Sequence, residues 1–320
     1  MSNILRAGAV KADFENLKER WSELLQQYFI EPGVLDPRFT IEVACPHCSE
    51  SDSQGDFNLN GFWHRTCTGC NSLYVSPRLN NKAIEELYSD EYYSEIYGRS
   101  MLPLFQKRKD LIGARKFDQA IKHWGKSGSG KVLDIGAGVG EVADVFREHG
   151  WTTHVTEMNA VAFDWLRTLG FANVTRGTLE EYNSDEDFDI IMAWGVVEHV
   201  LEPDIFLDKV FKLLKPGGIF VSEVPSGESL LVEYSRKTGI DPMRILMGEQ
   251  HIILYSVEAY RKLHERNGFK NIAIQTNGLD LSTILGNSQI EITDEVLEAL
   301  QASIDEKMYG DPLRGFWVKE

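Results

Sequence analysis

The sequence predicts an α/β protein in which a doubly wound domain, built around a mostly parallel sheet, is joined to a small cysteine-rich module. Three observations lead to this prediction. Strand and helix patterns alternate regularly from residue 131 to residue 275, a glycine-rich turn connects the first of these strands to the first helix, and all four cysteines lie between residues 45 and 70. Such alternation is typical of right-handed crossovers that place helices on both faces of one sheet.

Composition and charge narrow the class of protein. The chain has 320 residues, 42% hydrophobic and 26% charged, which is ordinary for a globular protein with one large and one small unit. Its 33 Lys and Arg against 49 Asp and Glu give a net charge of -16, so we expect no nucleic-acid partner. The sequence contains neither an apolar run of roughly 18 to 20 residues nor a signal-peptide pattern, and we therefore expect a cytoplasmic protein without membrane association.

The chain divides into five predicted segments. In order they are an N-terminal helix at residues 1–40, a zinc-ribbon-like module of short strands at 41–80, a helical linker or lid at 81–125, the sheet domain at 126–275 with a variable substrate segment at 225–256, and a C-terminal extension at 276–320. Within the extension, residues 314–317 are expected to be exposed. The lid carries an aromatic run that would either pack in a core or stack on a flat ligand: Tyr88, Tyr92, Tyr93 and Tyr97.

The cysteines form two C-x-x-C pairs separated by 18 residues: Cys45, Cys48, Cys67 and Cys70. Two such pairs suit four thiolates around a tetrahedral Zn²⁺, which would stabilise a module too small to have a sizeable core. His47 and His64 could replace a ligand, but four sulfurs already complete the shell and leave no open position for catalysis. We therefore expect structural zinc, and a redox dithiol is the disfavoured alternative.

A glycine-rich turn, VLDIGAGVGEV, carries the second motif. The strand closes on Asp134, and three glycines lead directly into a helix: Gly136, Gly138 and Gly140. Glycines allow a sharp turn and leave room for a ligand above the helix N-terminus. The dinucleotide fingerprint requires a further glycine where this chain has Glu141, which disfavours a pyrophosphate. Glu157 closes the next strand, where its carboxylate can accept both hydroxyls of a ribose, so the residues predict a nucleoside ligand without a diphosphate.

These motifs together resemble class I S-adenosylmethionine-dependent methyltransferases. VLDIGAGVG resembles the glycine-rich first motif, HVTEMN the ribose-binding acid, GTLEEY and FDIIMAWGVVEHV the adenine-side and post-strand motifs, and LLKPGGIFVSEVP the fifth strand. The segment from CPHC to the aromatic run is similar to the zinc-ribbon extension of a bacterial subset that acts on sugars, surface polysaccharides and other small metabolites. The resemblance covers about residues 41–275 and implies an enzyme that uses S-adenosylmethionine.

The resemblance also implies roles for individual positions. The implied cofactor residues are Asp134, Gly136, Gly138 and Gly140 for the methionine part, Glu157 for the ribose, Thr178 and Leu179 for the adenine, and Trp194 and Gly195 for the floor beside the methionine. Two further implied cofactor positions, Ala137 and Met158, depart from the common pattern. Ala137 stands where Cys is common, and Met158 follows the ribose-binding acid where Pro is common, which would shift the adenosine pocket.

The candidate catalytic residues lie on the acceptor side. Methyl transfer from a sulfonium is an in-line displacement, for which alignment is the main requirement, and an alcohol acceptor must also lose a proton. His199, in VVEHV after the fourth strand, and His251, in GEQHIILYS, are the candidate bases, and both match histidines that recur in similar chains. Glu198 is the candidate orienting carboxylate. The alternative is a purely structural His199 bonded to Glu198.

The sequence therefore predicts a methyltransferase acting on a small molecule or saccharide, with a hydroxyl as the expected acceptor. Three alternatives stay open. A sugar C-methyltransferase is disfavoured by the short chain after the sheet, and an RNA methyltransferase by the acidic ribbon, which has one Arg. A noncatalytic zinc-ribbon docking protein is disfavoured by the intact motif residues.

Overall fold

The structure is a computed structural model that describes residues 14–89, 91–184, 187–242, 244–288, 290 and 292–320. Residues 1–13 of the predicted N-terminal segment and the side chain of Tyr92 lie outside the described residues. None of the helices that it describes is long and apolar enough to cross a membrane.

The N-terminal region combines one amphipathic helix with short antiparallel strands. Helix α1 spans Phe14–Leu25, and a 3-10 turn at Gln26–Tyr28 ends it. The strands that follow are β1 (Phe29–Glu31), β2 (Val34–Leu35), β3 (Thr40–Ile41), β4 (Ser53–Leu59), β5 (Phe62–Cys67), β6 (Leu73–Val75) and β7 (Arg78–Leu79). Strands β4, β5 and β6 pair antiparallel, while β1 pairs with β2 and β3 with β7.

A run of helical turns leads from the cysteine region to the main sheet. It contains α2 (Asn81–Ser89), α3 (Glu91–Glu95), a π-helical turn (Ile96–Met101), a 3-10 turn (Leu102–Leu104), α4 (Phe105–Arg108), a second π-helical turn (Lys109–Gly113) and α5 (Ala114–Trp124). The second π turn packs closely on the main domain, because Lys109 Nζ lies 2.6 Å from Asp144 Oδ2 and a Cβ at Gly113 would overlap the carbonyl oxygen of Glu141. The linker is therefore held in place against the domain that it precedes.

The remaining elements build the α/β domain. They are β8 (Lys131–Ile135), α6 (Glu141–Glu148), β9 (Thr152–Glu157), α7 (Ala160–Leu166), β10 (Asn173–Arg176), β11 (Phe188–Trp194), a 3-10 turn (Val197–His199), α8 (Pro203–Leu213), β12 (Leu214–Val224), α9 (Leu230–Thr238), β13 (Ile253–Leu254), α10 (Val257–Arg266), β14 (Phe269–Thr276), α11 (Asp280–Ser288), α12 (Asp294–Glu306) and β15 (Leu313–Lys319).

Within the described residues the main sheet has the order β10-β9-β8-β11-β12-β15-β14. Strands β8 to β12 run parallel, and β15 is antiparallel to both of its neighbours. Residues on both faces of the central strands are buried, such as Val132 and Leu133 on β8, because helices cover the sheet on either side. This confirms the predicted doubly wound, mostly parallel sheet. The strand order reverses between β8 and β11, and folds of this kind bind ligands outside the carboxyl ends of the strands at that point.

The C-terminal extension differs from the expectation. Residues 313–319 form β15 inside the sheet, so the sheet does not end at residue 275, and the expected exposure of residues 314–317 is wrong. Trp317 is fully buried and its Nε1 donates to Ser222 Oγ at 3.2 Å, while the buried Arg314 forms an ion pair with Glu223. Partners on β12 satisfy the charge of Arg314 and the indole N–H of Trp317 inside the core.

The cysteine module is continuous with the α/β domain. Strand β13, from the variable segment 225–256, pairs antiparallel with β6, which gives a second sheet of order β13-β6-β5-β4 in the described chain. Ser256 strengthens the junction, since its Oγ donates to the carbonyl oxygen of Cys70 at 2.7 Å and caps α10 at Ala259 N. The segment expected to contact substrate is thus shared with the expected zinc module.

Candidate active site

Glu157 lies at the carboxyl end of β9, beside the glycine turn that follows β8. Its Oε2 accepts from Gly138 N and its Oε1 from Asn159 N, both at 2.8 Å. Burial raises the pKa of this carboxyl, and the backbone N–H groups oppose that effect. Each oxygen keeps a second lone pair for a ligand hydroxyl. The group is therefore fixed and able to accept two hydroxyls, as the ribose of the expected cofactor requires.

Asp134 lies at the carboxyl end of the neighbouring strand β8 and is almost completely buried. Burial, together with the nearby charge of Glu141, raises its pKa well above the usual range. Its Oδ1 has no hydrogen-bond partner among the described residues. A buried carboxyl without a partner is costly, and a cationic ligand group would satisfy it. The site thus fits a ligand that carries an ammonium group, such as the amino-acid end of S-adenosylmethionine.

The glycine turn itself is shaped by backbone conformation and by Tyr97. Gly138 has a φ of +59° and Gly140 one of +80°, in the left-handed region that favours glycine. A Cβ at Gly138 would lie 3.6 Å from Cε1 of Tyr97, so this ring covers the turn. Burial raises the pKa of Tyr97 well above its usual value, and its hydroxyl stays neutral. The aromatic run of the linker therefore reaches the cofactor side of the site.

Trp194 and Gly195 lie at the carboxyl end of β11, beside a group of charges that the sequence analysis did not identify. Lys116 Nζ lies 4.2 Å from the centroid of the Trp194 ring and 2.9 Å from Glu223 Oε1. Arg314 pairs with the same carboxylate, its Nε donating to Oε2 at 2.8 Å. Burial would raise the pKa of Glu223, but the Arg314 and Lys116 charges lower it to about 2. Like Glu157, Glu223 lies near a strand end, and that shared position is the signal that could have identified it.

The remaining expected cofactor positions are spread around this edge of the sheet. Thr178 follows Gly177, whose N–H donates to the carbonyl oxygen of Glu157 at 3.1 Å. The N–H of Thr178 donates to Glu181 Oε2. Leu179 is buried in the main core, while Met158 is exposed. Ala137 packs against the apolar cluster under α7. The structure thus keeps Thr178 beside Glu157 and directs Leu179 into the core.

The two candidate histidines, His199 and His251, lie side by side although they are 52 positions apart in the sequence. Their ring centroids are 4.8 Å apart. His199 Nδ1 lies 3.0 Å from the carbonyl oxygen of Gln250, and His251 Nδ1 lies 2.7 Å from that of Ile245. A carbonyl can only accept, so these contacts assign the proton of each neutral ring to Nδ1 and leave a lone pair on each Nε2.

Burial shifts the pKa values of His199, His251 and the neighbouring Glu198. It lowers the pKa of His199 to about 3 and that of His251 to about 4, so both rings are neutral at pH 7. It also raises the pKa of Glu198 to about 8. Glu198 Oε1 is 3.8 Å from His199 Nε2, and Oε2 lacks a hydrogen-bond partner in the described part of the chain. The structural alternative, a His199 hydrogen-bonded to Glu198, is not supported at that distance.

Aromatic side chains from the region before the main sheet pack beside His199. Tyr88 Oη lies 2.8 Å from His199 Nδ1, and its ring stacks on that of Tyr93 at 5.0 Å between centroids. Trp21 of α1 contacts Tyr93 edge-on and donates its Nε1 proton to Glu249 Oε1 at 2.8 Å. Tyr88 of the predicted lid thus contacts His199, and Trp21 of α1 links Tyr93 to the turn before His251.

The four cysteine sulfurs lie within 4.8 Å of one another. Cys45 Sγ is 3.6 Å from Cys70 Sγ, and Cys48 Sγ is 3.4 Å from Cys67 Sγ. A tetrahedron with Zn–S distances of about 2.3 Å places its sulfurs about 3.8 Å apart, so the donor set and spacing fit Zn²⁺. Among the described residues this candidate metal-binding group is made of the four cysteines alone and includes neither His47 nor His64.

Comparison with known proteins identifies the sheet domain. The sequence pattern of a methyltransferase-domain family matches residues 99–274, more than half of the chain. Ubiquinone biosynthesis O-methyltransferases are among the curated relatives. The one from Bradyrhizobium sp. (strain ORS 278) is 32% identical over 112 residues, which is 33% of this chain and 44% of the relative. The one from Nitrobacter winogradskyi is 30% identical over 113 residues, 34% of this chain and 43% of the relative. The matched part thus spans less than half the length of these relatives.

Solved structures resemble the chain more distantly. A Thermotoga maritima protein described as a SAM-dependent methyltransferase, possible histamine N-methyltransferase, has a TM-score of 0.46 and 19% identity over 68% of this chain and 96% of its own. The 1,6-didemethyltoxoflavin-N1-methyltransferase of Burkholderia thailandensis has a TM-score of 0.47 and 15% identity over 79% of this chain and 96% of its own. With the glycine turn, the strand-end acid and the sheet order in place, the match over residues 99–274 shows that the chain belongs to the class I S-adenosylmethionine-dependent methyltransferases.

Proposed function

We propose that the protein transfers a methyl group from S-adenosylmethionine to a hydroxyl of a small molecule, with a saccharide or a related metabolite as the acceptor class. The observation that carries this proposal is the pair of imidazoles, His199 and His251, each with its Nε2 lone pair available, next to the strand ends where the cofactor residues lie. The O-methyltransferase relatives support oxygen as the accepting atom.

The cofactor side would work by fixed polar groups. S-adenosylmethionine supplies a methyl group on a sulfonium, which makes the carbon electrophilic. Glu157 accepts the ribose hydroxyls, and Asp134 pairs with the ammonium group. Thr178 flanks the adenine, while Trp194 and Gly195 bound the methionine end. Holding these groups in place aligns the sulfonium before the reaction, and alignment is the main contribution an enzyme makes to such a displacement.

The acceptor side would orient the hydroxyl and take its proton. The acceptor oxygen forms a bond to the methyl carbon as the bond from carbon to sulfur breaks, and the hydroxyl proton passes to Nε2 of one histidine. Backbone carbonyls hold the opposite Nδ1 of each ring, so both lone pairs are oriented without an induced change. Glu198 lies beside them as the orienting carboxylate.

Aromatic and charge features support a saccharide or similarly flat small acceptor. The ring of Tyr88 contacts His199 and stacks on Tyr93, and such rings are the kind of surface on which a sugar ring packs. The net charge of -16 opposes binding of a polyanion. We also propose that Cys45, Cys48, Cys67 and Cys70 bind one structural Zn²⁺, which the sulfur spacing supports.

The experiment is incubation of the full chain with S-adenosylmethionine and three acceptor sets, namely nucleotide sugars and glycans, phenolic small molecules, and RNA. Mass spectrometry of the products should show one added methyl group in the saccharide set. Loss of that methyl group on acid hydrolysis that cleaves O-methyl groups would identify oxygen as the accepting atom. Transfer to RNA alone would contradict the proposal. A chain that binds the cofactor and methylates none of the three sets would contradict the acceptor class.

A further inference from the structure

The cluster of Glu198, His199 and His251 has the composition of a metal site that is separate from the cysteine cluster. One ligand atom from each of the three residues lies within 4.8 Å of the others. Two imidazoles and a carboxylate are the ligand set of several Zn²⁺ and Fe²⁺ centres that keep open positions for substrate. We propose that these three side chains bind a divalent transition-metal cation on the acceptor side.

Backbone carbonyl groups hold both imidazole rings in fixed orientations. Both Nδ1 atoms donate to backbone carbonyl oxygens, at 3.0 Å for His199 and 2.7 Å for His251. Metal-binding histidines almost always donate the other ring N–H to a carbonyl or carboxylate, because this fixes the ring and its tautomer. The backbone of residues 245–250 thus supplies the supporting contacts of a metal site on both rings.

The buried carboxyl group of Glu198 has an oxygen atom without a hydrogen-bond partner among the described residues. This side chain is 3% exposed, and the atom in question is Oε2. His199 Nε2, 3.8 Å from Glu198 Oε1, and a ring nitrogen of His251 within 4.8 Å add two further ligand atoms. Lys116, a cation whose charge acts on Glu198, is held by Glu223. A metal cation bound by this carboxyl group, in place of its proton, and by the two rings would satisfy all three side chains at once.

The distances allow one ion with small side-chain movements. Two ligand atoms at about 2.1 Å from one ion lie at most about 4.2 Å apart. Glu198 Oε1 and His199 Nε2 are 3.8 Å apart and already meet this limit. A pair at the upper bound of 4.8 Å would have to close by less than an ångström. Torsions of the carboxylate and of the His251 ring supply such a movement without a change in the backbone.

The inference rests on the proposed function in one respect, which is that the open positions of the cation face the acceptor. An Nε2 that binds a cation has no lone pair for a proton, so the two roles exclude each other in any one molecule. In the cation-bound state the acceptor oxygen binds the ion, which lowers the pKa of the hydroxyl, and its proton leaves to water.

The test uses Co²⁺ as the probe, added to the full chain after the cysteine cluster has been filled with a single equivalent of Zn²⁺, because excess Zn²⁺ would compete for the second site. One equivalent should bind with visible d–d absorption and without the thiolate-to-cobalt charge-transfer band that exchange into the cysteine cluster would produce. His199→Gln, His251→Gln and Glu198→Gln should each weaken Co²⁺ binding by at least about 100-fold, since loss of even an outer-shell partner costs about 10- to 100-fold. His149→Gln, at the C-cap of α6 and outside the group of three ligands, is the matched control and should bind Co²⁺ like the wild type.

Calorimetry with S-adenosylmethionine shows whether each variant keeps a folded cofactor side. Absence of the d–d band in the wild type, or its persistence in all three variants, would overturn the cation site. Co²⁺ binding without methyl transfer to any acceptor would sustain the site and contradict the proposed function. Methyl transfer by a chain that binds no Co²⁺ would support the proposed function and contradict the cation site.

Discussion

Two carboxyl groups at neighbouring strand ends, Asp134 and Glu157, are buried to a similar degree and yet have different partners. Glu157 accepts from two backbone N–H groups, whereas Asp134 Oδ1 has none among the described residues. Burial raises both pKa values, but the N–H groups favour the charged form of Glu157. Glu157 is therefore prepared to accept neutral hydroxyls, and Asp134 requires a cationic partner to become charged.

The first prediction concerns Glu157. Glu157→Ala should weaken S-adenosylmethionine binding by on the order of 2 to 4 kcal/mol, because each unpaired buried group costs about 1 to 3 kcal/mol. The loss of the bond to Gly138 N would loosen the glycine turn and act in the same direction. Calorimetric titration of the cofactor is the measurement, with Glu180→Ala, an exposed acid in the loop before β11, as the control. Unchanged affinity in the Glu157 variant would refute the ribose assignment.

The second prediction concerns the histidine pair. If His199 or His251 takes the acceptor's proton, its replacement by Ala should lower kcat by about 10²- to 10⁴-fold while cofactor affinity stays nearly constant. If the rings serve for alignment, the substitutions should mainly raise KM for the acceptor. Steady-state kinetics separate the two outcomes, and His149→Ala is the control on α6. Full activity in both single variants would show that the acceptor lies elsewhere.

At the scale of single elements, β15 is where sequence reasoning and structure differ most. The pattern LRGFWVK carries an arginine and a glycine within an apolar run, which weakens a strand prediction made from local residues. Its stability comes instead from distant partners, the pairing with β12 and β14 and the contact of Arg314 with Glu223. By contrast β8 and β11 contain apolar runs, and β8, β9 and β11 each end at an acid or directly before a glycine, so these strands could be predicted because the signal lies within each element.

The third prediction follows from Glu223, whose carboxylate joins β12 to Lys116 and to Arg314 of β15. Its pKa is about 2 in the folded protein against 4.5 for an ordinary glutamate. Because the folded value is the lower one, the stabilisation is present above pH 4.5 and is lost as the pH falls towards 2. At one unit per about 1.4 kcal/mol this amounts to on the order of 3 kcal/mol at neutral pH.

Urea unfolding of the wild type and Glu223→Gln at several pH values measures this contribution. The difference in the free energy of unfolding between the two proteins should shrink as the pH falls below 4.5. Arg314→Ala should destabilise the protein by about 3 to 5 kcal/mol at neutral pH, since it leaves a buried carboxylate with one cation fewer. The double variant Arg314→Ala and Glu223→Gln should lose less than the sum of the single losses. A pH-independent difference would contradict the role of the ion pair.

For the whole molecule, the arrangement of the two sheets could be predicted only in part. The α/β sheet and the grouping of the cysteines follow from periodicity and spacing, which are properties of contiguous sequence. The pairing of β13 with β6 could not be predicted in this way. Ile253 and Tyr74 pair across 179 residues of chain, and neither carries a local signal for the other. The approach of His199 to His251 depends on the same connection, so the pairing of the candidate catalytic residues was also beyond local patterns.

That connection makes the last prediction one about the zinc module. Ile252, directly after His251, donates its N–H to the carbonyl oxygen of Glu198 and accepts from Val75 N, each at 3.2 Å. Loss of the ion should therefore loosen residues 252–256 and the acceptor side, while β8 and β9 keep their order and the cofactor still binds. A double variant, Cys67→Ser and Cys70→Ser, removes two ligands of the zinc. It is preferred to a chelator, because a chelator would also remove the proposed second cation.

Elemental analysis should find one zinc per chain fewer in this variant than in the wild type. Hydrogen exchange should then speed up at the amides of β6 and β13, because their pairing depends on the turn that carries Cys70. Exchange in β8 and β9 should stay slow, and cofactor affinity should change little. A protein purified without chelator that contains no zinc would contradict the module's assignment. Equal acceleration in both sheets would show instead that the ion stabilises the chain as a whole, because the acceptor side and the cofactor side would then unfold together.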